Sequence, residues 1–210
     1  QPPVADTYLA LETMRNEVLS LLQHVLLFSR HVFGHPYSYK HPQYYQKNFE
    51  AMALQQQYEY IKIQHGEIFD CYMQLQRGSM KAAEILEAER MATAARNASY
   101  AAKSFSDCIA DVADFSDSGK DNKFSMYEEG RKQIGTFACQ MEALMIEKSD
   151  DKKQSLLEFH GSIQHQYYQS IKNIYAGMVT RGLQEIEITA ALHLNREITT
   201  GLKSLTMAAK

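Results

Sequence analysis

The sequence predicts an all-α protein. Apolar residues recur at spacings of three and four from one end of the chain to the other, and nothing alternates with period two. Proline and glycine are scarce, at 4 and 10 of 210 residues, while Ala, Gln, Glu, Leu, Lys and Met are plentiful. The few breakers that exist cut the chain into segments of helical length, and six helices are expected, three in each half.

The first helix carries Leu11, Met14, Val18, Leu21, Leu22, Val25 and Phe28 on one stripe and stops at Gly34-His35-Pro36. The second is expected to open at Pro42, a residue suited to the first helical position, and to run to Arg77-Gly78, with a bend at Gly66. That helix would be about 54 Å long at 1.5 Å per residue. Gly78-Ser79 reads as one helix ending and the next being capped. The third helix shows a heptad through Ile85 and Ala88, Ala92 and Ala95, Ser99 and Ala102, and Ile109, with small residues that allow close approach.

Residues 116–123, rich in Ser, Asp, Gly and Asn, read as a linker between a first unit at 1–115 and a second at 124–210. Ser125 and Glu128 form a capping-box pattern for a fourth helix lined by Met126, Ile134, Phe137, Met141, Leu144 and Met145. Ser149-Asp150-Asp151 precedes the fifth helix, which reaches Arg181-Gly182, and the sixth starts at Leu183. Ile63-Gln64-His65 recurs as Ile163-Gln164-His165, and Arg96, Lys103 and Ser104 recur as Arg196, Lys203 and Ser204. With three helices per half, these echoes predict two tandem three-helix bundles that superpose. The start at Gln1 and the stop inside a helical pattern at Met207-Ala208-Ala209-Lys210 predict a piece of a longer protein.

Charge and motifs remove several function classes. A net charge of −3 argues against a dedicated nucleic-acid binder or a polybasic membrane-surface protein. No P-loop, GxGxxG or GxSxG is present. None of the glutamates has a histidine three residues on, so the Glu-x-x-His pairs of di-iron bundles are missing. Cys71, Cys108 and Cys139 are widely spaced and read as small buried hydrophobes in a reducing compartment. His31, His35 and His41 surround the first loop and are read as hydrogen-bonded or solvated side chains. Asp107 and Asp111 share a helical face and are weak candidates for a cation, against the alternative of a solvated helix end. Tyr37, Tyr39, Tyr44 and Tyr45 crowd the first loop, where aromatic side chains could meet a partner or fold back on the bundle.

The run Ala94-Ala95-Arg96-Asn97-Ala98-Ser99-Tyr100-Ala101-Ala102-Lys103-Ser104-Phe105-Ser106-Asp107 resembles the PhoU-like domain at the cytoplasmic, C-terminal end of bacterial sodium–phosphate symporters. Asn195-Arg196-Glu197-Ile198 through Lys203-Ser204-Leu205 to Ala208-Ala209-Lys210 looks like the matching part of the second half. The resemblance implies a PhoU-like domain built from the two repeats, on the cytoplasmic side of the inner membrane. It implies a regulatory module, not an enzyme, that controls phosphate uptake through protein contacts. It implies the transmembrane part of the same transporter as partner and leaves room for a homodimer, with no nucleic acid, no cofactor and no bilayer insertion of this segment. Arg96, Lys103, Arg196 and Lys203 would then form an interface or an anion-facing strip, with Tyr37 and Tyr39 as further contact candidates. PhoU proteins often bind metal clusters through an acid-x-x-x-Asp motif in each repeat. Here Glu89 is followed by Thr93, and Thr189 and His193 stand in the second half, so both motifs are broken and no metal is expected. A metal-binding bundle using Glu89, Asp107 and Asp111, and a signalling scaffold unrelated to phosphate, are the alternatives.

Overall fold

The computed structural model describes residues 4–35, 48–119, 121–146 and 151–209. Among them every regular element is helical: α1 (Val4–Val32), α2 (Leu54–Gln76), α3 (Ala82–Asp107), α4 (Ile109–Ser116), α5 (Asp121–Ile146), α6 (Lys152–Arg181) and α7 (Glu185–Ala208). The expected α class holds. The α3–α4 break is a single turn at Cys108, whose N–H bonds the Phe105 carbonyl at 3.2 Å before Val112 N–H resumes the helical pattern on Cys108 O. The two form one run, giving six helices.

α1 buries the predicted stripe in full, from Leu11 to Phe28, and adds Leu26, Leu27, Val32 and Phe33. It ends in a Schellman turn: Gly34 has φ +65°, and His35 N–H bonds Arg30 O at 2.9 Å. Helix α5 seals this end. Tyr127 Oη donates to Phe33 O at 3.1 Å, Arg131 Nη2 donates to Gly34 O at 3.2 Å, and His35 meets the Arg131 carbonyl.

Four sequence expectations need correction. Helix α2 starts at Leu54, not Pro42; residues 48–52 form turns, Phe49 is fully buried, and Pro42 lies outside the described residues. Its 23 residues span about 35 Å and continue unbroken through Gly66. Ser79 caps nothing, because α3 starts later: Lys81 N–H donates to Glu84 Oε2 at 2.7 Å. Ala53 with Gln56 and Gln184 with Glu187 open α2 and α7 in the same manner, each a side chain accepting from the backbone behind it. Ser125 sits inside α5, which begins at Asp121, and Glu128 pairs with Arg131 instead.

The fourth correction concerns α3. Ala88, Ala95 and Ala102 are buried as expected, but their heptad partners are Met91, Ala98 and Phe105, whereas Ile85 is exposed and Ala92, Ser99 and Ile109 are half-buried. The seam lies one turn to the other side because Met91 and Phe105 supply the bulk that fills the gaps between alanines.

Helices α1, α2 and α3 each pack on the other two, and so do α5, α6 and α7; the broadest helix pair is α3 with α7. Phe105 lies over Gly201 while Asp111 meets His193, so the α3–α4 run and α7 are antiparallel. A Cβ on Gly201 would stand 2.6 Å from Phe105 Cε1, so α3 and α7 approach closely here. Gly201→Val should therefore cost about 1–3 kcal/mol through overpacking. Thermal unfolding followed by circular dichroism should show a clearly lowered midpoint, and an unchanged midpoint would contradict the seam.

Candidate functional site

The chemistry-bearing residues gather along the flank of the α3–α4/α7 seam. Helical spacing places Lys103, Asp107 and Asp111 in a row on the first run, and His193 and Glu197 one turn apart on α7. Lys103 Nζ lies 2.6 Å from both Asp107 oxygens, and this hydrogen bond holds the lysine pKa above its ordinary value. His193 Nδ1 is 2.7 Å from Asp111 Oδ2, and its Nε2 is 3.9 Å from Glu197 Oε1. Arg196 Nη2 lies 3.1 Å from the same Glu197 oxygen. An imidazole is thus set between carboxylates from α4 and α7, a cross-tie between two helices.

The strip carries two cations answered by three carboxylates, so it offers no excess positive field to an anion. Lys203, two turns beyond Arg196 along the same side of α7, bonds Gln164 of α6, and Arg96 is exposed on α3 two turns before Lys103. Tyr37, Tyr39 and His41 lie outside the described residues.

Glu89 is exposed and five helical turns from Asp107 along α3. Among the described residues, no three His, Cys, Asp or Glu side chains are placed to share a metal ion. His193, which stands where a second acid would complete the motif in the second half, is instead occupied with Asp111. Of the three cysteines expected to be buried, only Cys108 is; Cys71 is half-buried and Cys139 is exposed on α5. The Cys108 thiol donates to Ser104 O at 3.3 Å and has its pKa pushed up by desolvation, so it stays protonated.

A second polar feature was not anticipated from sequence. Between α1 and α2, His24 is 1% exposed, and its Nδ1 lies 2.9 Å from Gln64 Oε1. Gln64 Nε2 donates to Ser20 Oγ at 3.0 Å and to Glu17 Oε2 at 3.4 Å. Two helical turns away, Gln57 Nε2 lies 2.7 Å from His31 Nδ1 and donates to Phe49 O at 3.0 Å. The His24 ring packs on Phe49 and Tyr60 at centroid distances of 4.5 and 5.2 Å. Burial lowers its pKa, against opposing contributions from Gln64 and Glu17.

In the second bundle, Gly130, Ile174, Ala191, Leu194, Asn195 and Ile198 line a hollow of about 30 Å³. It has room for one or two waters and none for an organic ligand. The arrangement as a whole supports helix-to-helix fastening more than covalent chemistry. Compared with known protein families, curated proteins and solved structures, the chain has no significant match.

Two outcomes follow from these contacts. The Asp111–His193 tie is partly solvated, so a double-mutant cycle with Asp111→Asn and His193→Ala should give a coupling of about 0.5–1 kcal/mol. A coupling indistinguishable from zero would mean that the pair is incidental. For His24, the folded state disfavours the proton, so its stabilisation is complete above pH 6.5, the ordinary histidine value, and is lost as pH falls below it. The urea midpoint should drop more steeply from pH 6.5 to pH 5 in the natural chain than in His24→Gln, and equal slopes would contradict a neutral buried His24.

Proposed function

We propose that this chain is a non-enzymatic regulatory module of a sodium-dependent phosphate transporter, working on the cytoplasmic side of the inner membrane through protein contacts. The resemblance of 94–107 and 195–210 to the PhoU-like domains of sodium–phosphate symporters is the ground for phosphate. The observation that carries the proposal is where those segments lie. Far apart in sequence, they pack on each other at the α3–α7 seam, with Phe105 over Gly201. Residues that dictate the contact between two halves suit a module that passes on a mechanical state.

The flanking chemistry fits that role. Carboxylates of the strip are answered by Lys103, His193 and Arg196, leaving fasteners between helices in place of an open reaction centre. No described helix is long and apolar enough to cross a membrane, so on this proposal the spanning part is a separate segment of the transporter. Two tandem three-helix repeats would make the seam a junction between copies of one unit.

The experiment is phosphate uptake by the transporter with and without this 210-residue segment, at low and high external phosphate. Removal should change uptake at one or both phosphate levels while the transporter remains in the membrane at unchanged abundance. Identical uptake at both levels would refute regulation of transport. Coding sequence ahead of Gln1 should contain several membrane spans, and a soluble protein starting there would refute the symporter assignment.

A further inference from the structure

Helix α6 has two apolar faces. The inner one, with Leu156, Ile163 and Ile174, is buried against the second bundle. The outer one carries Leu157, Tyr168, Tyr175 and Met178 at 46, 56, 51 and 45% exposure. A surface helix normally presents one apolar stripe to its own core and a polar face to water. The outer face departs from this along its whole length. Its residues fall at alternating spacings of four and three: Leu157, Gly161, Gln164, Tyr168, Ile171, Tyr175, Met178. That is the repeat of a coiled-coil seam, set along the flank of α6, where Leu157, Tyr168, Tyr175 and Met178 are exposed and Gln164 and Ile171 are half-buried.

The order of side chains in this seam is complementary to its own reverse. Two such helices laid antiparallel, with the two-fold axis level with Gln166, set Leu157 against Tyr175, Gly161 against Ile171 and Gln164 against Tyr168 of the other copy. The bare Gly161, whose surroundings would leave a Cβ in open space, falls opposite a branched side chain. The flanking charges obey the same axis: Glu158 of each copy stands beside Lys172 of the other, one attraction on either side. Within the protomer, Glu158 Oε1 accepts a local bond from Gln154 Nε2 at 2.9 Å. An isologous interface requires every residue to satisfy its partner by the same operation that satisfies itself, and shape and charge both do so here.

We infer that the outer face of α6 is a homodimer interface, with two copies of this chain packed antiparallel through Leu157, Tyr168 and Tyr175 and locked in register by paired Glu158–Lys172 contacts. Half-exposed side chains of these sizes would bury on the order of 1,000 Å² in total, the lower range for a specific interface. The dimer is therefore expected to form at micromolar concentration and to dissociate on dilution. The inference does not depend on any link to phosphate.

Sedimentation equilibrium of the 210-residue chain between about 5 and 500 µM tests it, a range set by an interface of this size. The expected result is a reversible monomer–dimer equilibrium. Tyr175→Glu should abolish it, placing a charge in two layers at once. Glu158→Lys turns both flanking contacts repulsive and should weaken the dimer about tenfold, while Glu158→Lys combined with Lys172→Glu should restore it to within about threefold. Circular dichroism of each variant must show undiminished helix, and the swapped pair serves as the folded control if Tyr175→Glu does not fold. A monomer throughout the range, a dimer indifferent to Tyr175→Glu, or a charge swap that fails to rescue would each overturn the inference, the first also being the outcome if this face serves a different protein.

Discussion

Everything in this molecule hangs on how closely α3 and α7 can approach. Apart from Met91, Ser104 and Phe105, α3 presents alanines along its buried face, and α7 offers Gly201 where the Phe105 ring arrives. Small side chains bring two helix axes together, and the few large ones then fill the remaining gaps at interior density. The other helices arrange themselves around that pair: α1 and α2 cover α3 from one side, while α5 and α6 cover α7 from the other. The ion pairs along the seam's flank decorate an approach that sterics have already set, and being partly solvated they fix alignment more than they hold the halves together.

The α1–α2 interface is built on a different logic. Its core is mostly Leu, Ile and Phe, but His24, Gln64 and Gln57 are buried within it and bonded to one another's neighbours across the gap. Apolar packing alone would tolerate α2 sliding along α1. A buried amide or imidazole tolerates it poorly, because a shift of one turn leaves a desolvated donor or acceptor without its partner. The polar layer thus specifies register where the apolar stripe specifies only contact.

How much of this could be read in the sequence depended on how one-sided each helix is. The α1 stripe was legible because its apolar residues lie on one broad arc, and Gly34 and Gly182 marked the ends of α1 and α6 because both adopt positive φ. In α3 half of the 26 positions are Ala, Ser or Thr, so two heptad frames fit equally well and only the bulk of Met91 and Phe105 distinguished them. The start of α3 was misplaced at Ser79 because its cap runs backwards, with Glu84 accepting from Lys81 N–H, and that of α5 was misplaced at Ser125 because the helix begins a turn earlier, at Asp121. The Asp111–His193 contact joins residues on different helices, and no local periodicity reports such a pair. Gln57 and Gln64 did leave a signal: they share the stripe of Ile61 and Ile68 at helical spacing, which places an amide where a hydrophobe is expected.

The end of α1 bears on how the two halves can move. Only Asp117 to Lys120 separates α4 from α5, a stretch short enough to have served as a pivot. But Tyr127 and Arg131, just beyond that stretch, grip the last carbonyls of α1, and Lys123 reaches back 2.9 Å to Asp114. The connection is consequently closed into a ring, held at both its start and its finish. Twisting one half against the other would have to break the clamp on α1 before the linker could turn. A torque applied to α5 is delivered straight to α1, and the short connection behaves as a strut in place of a hinge.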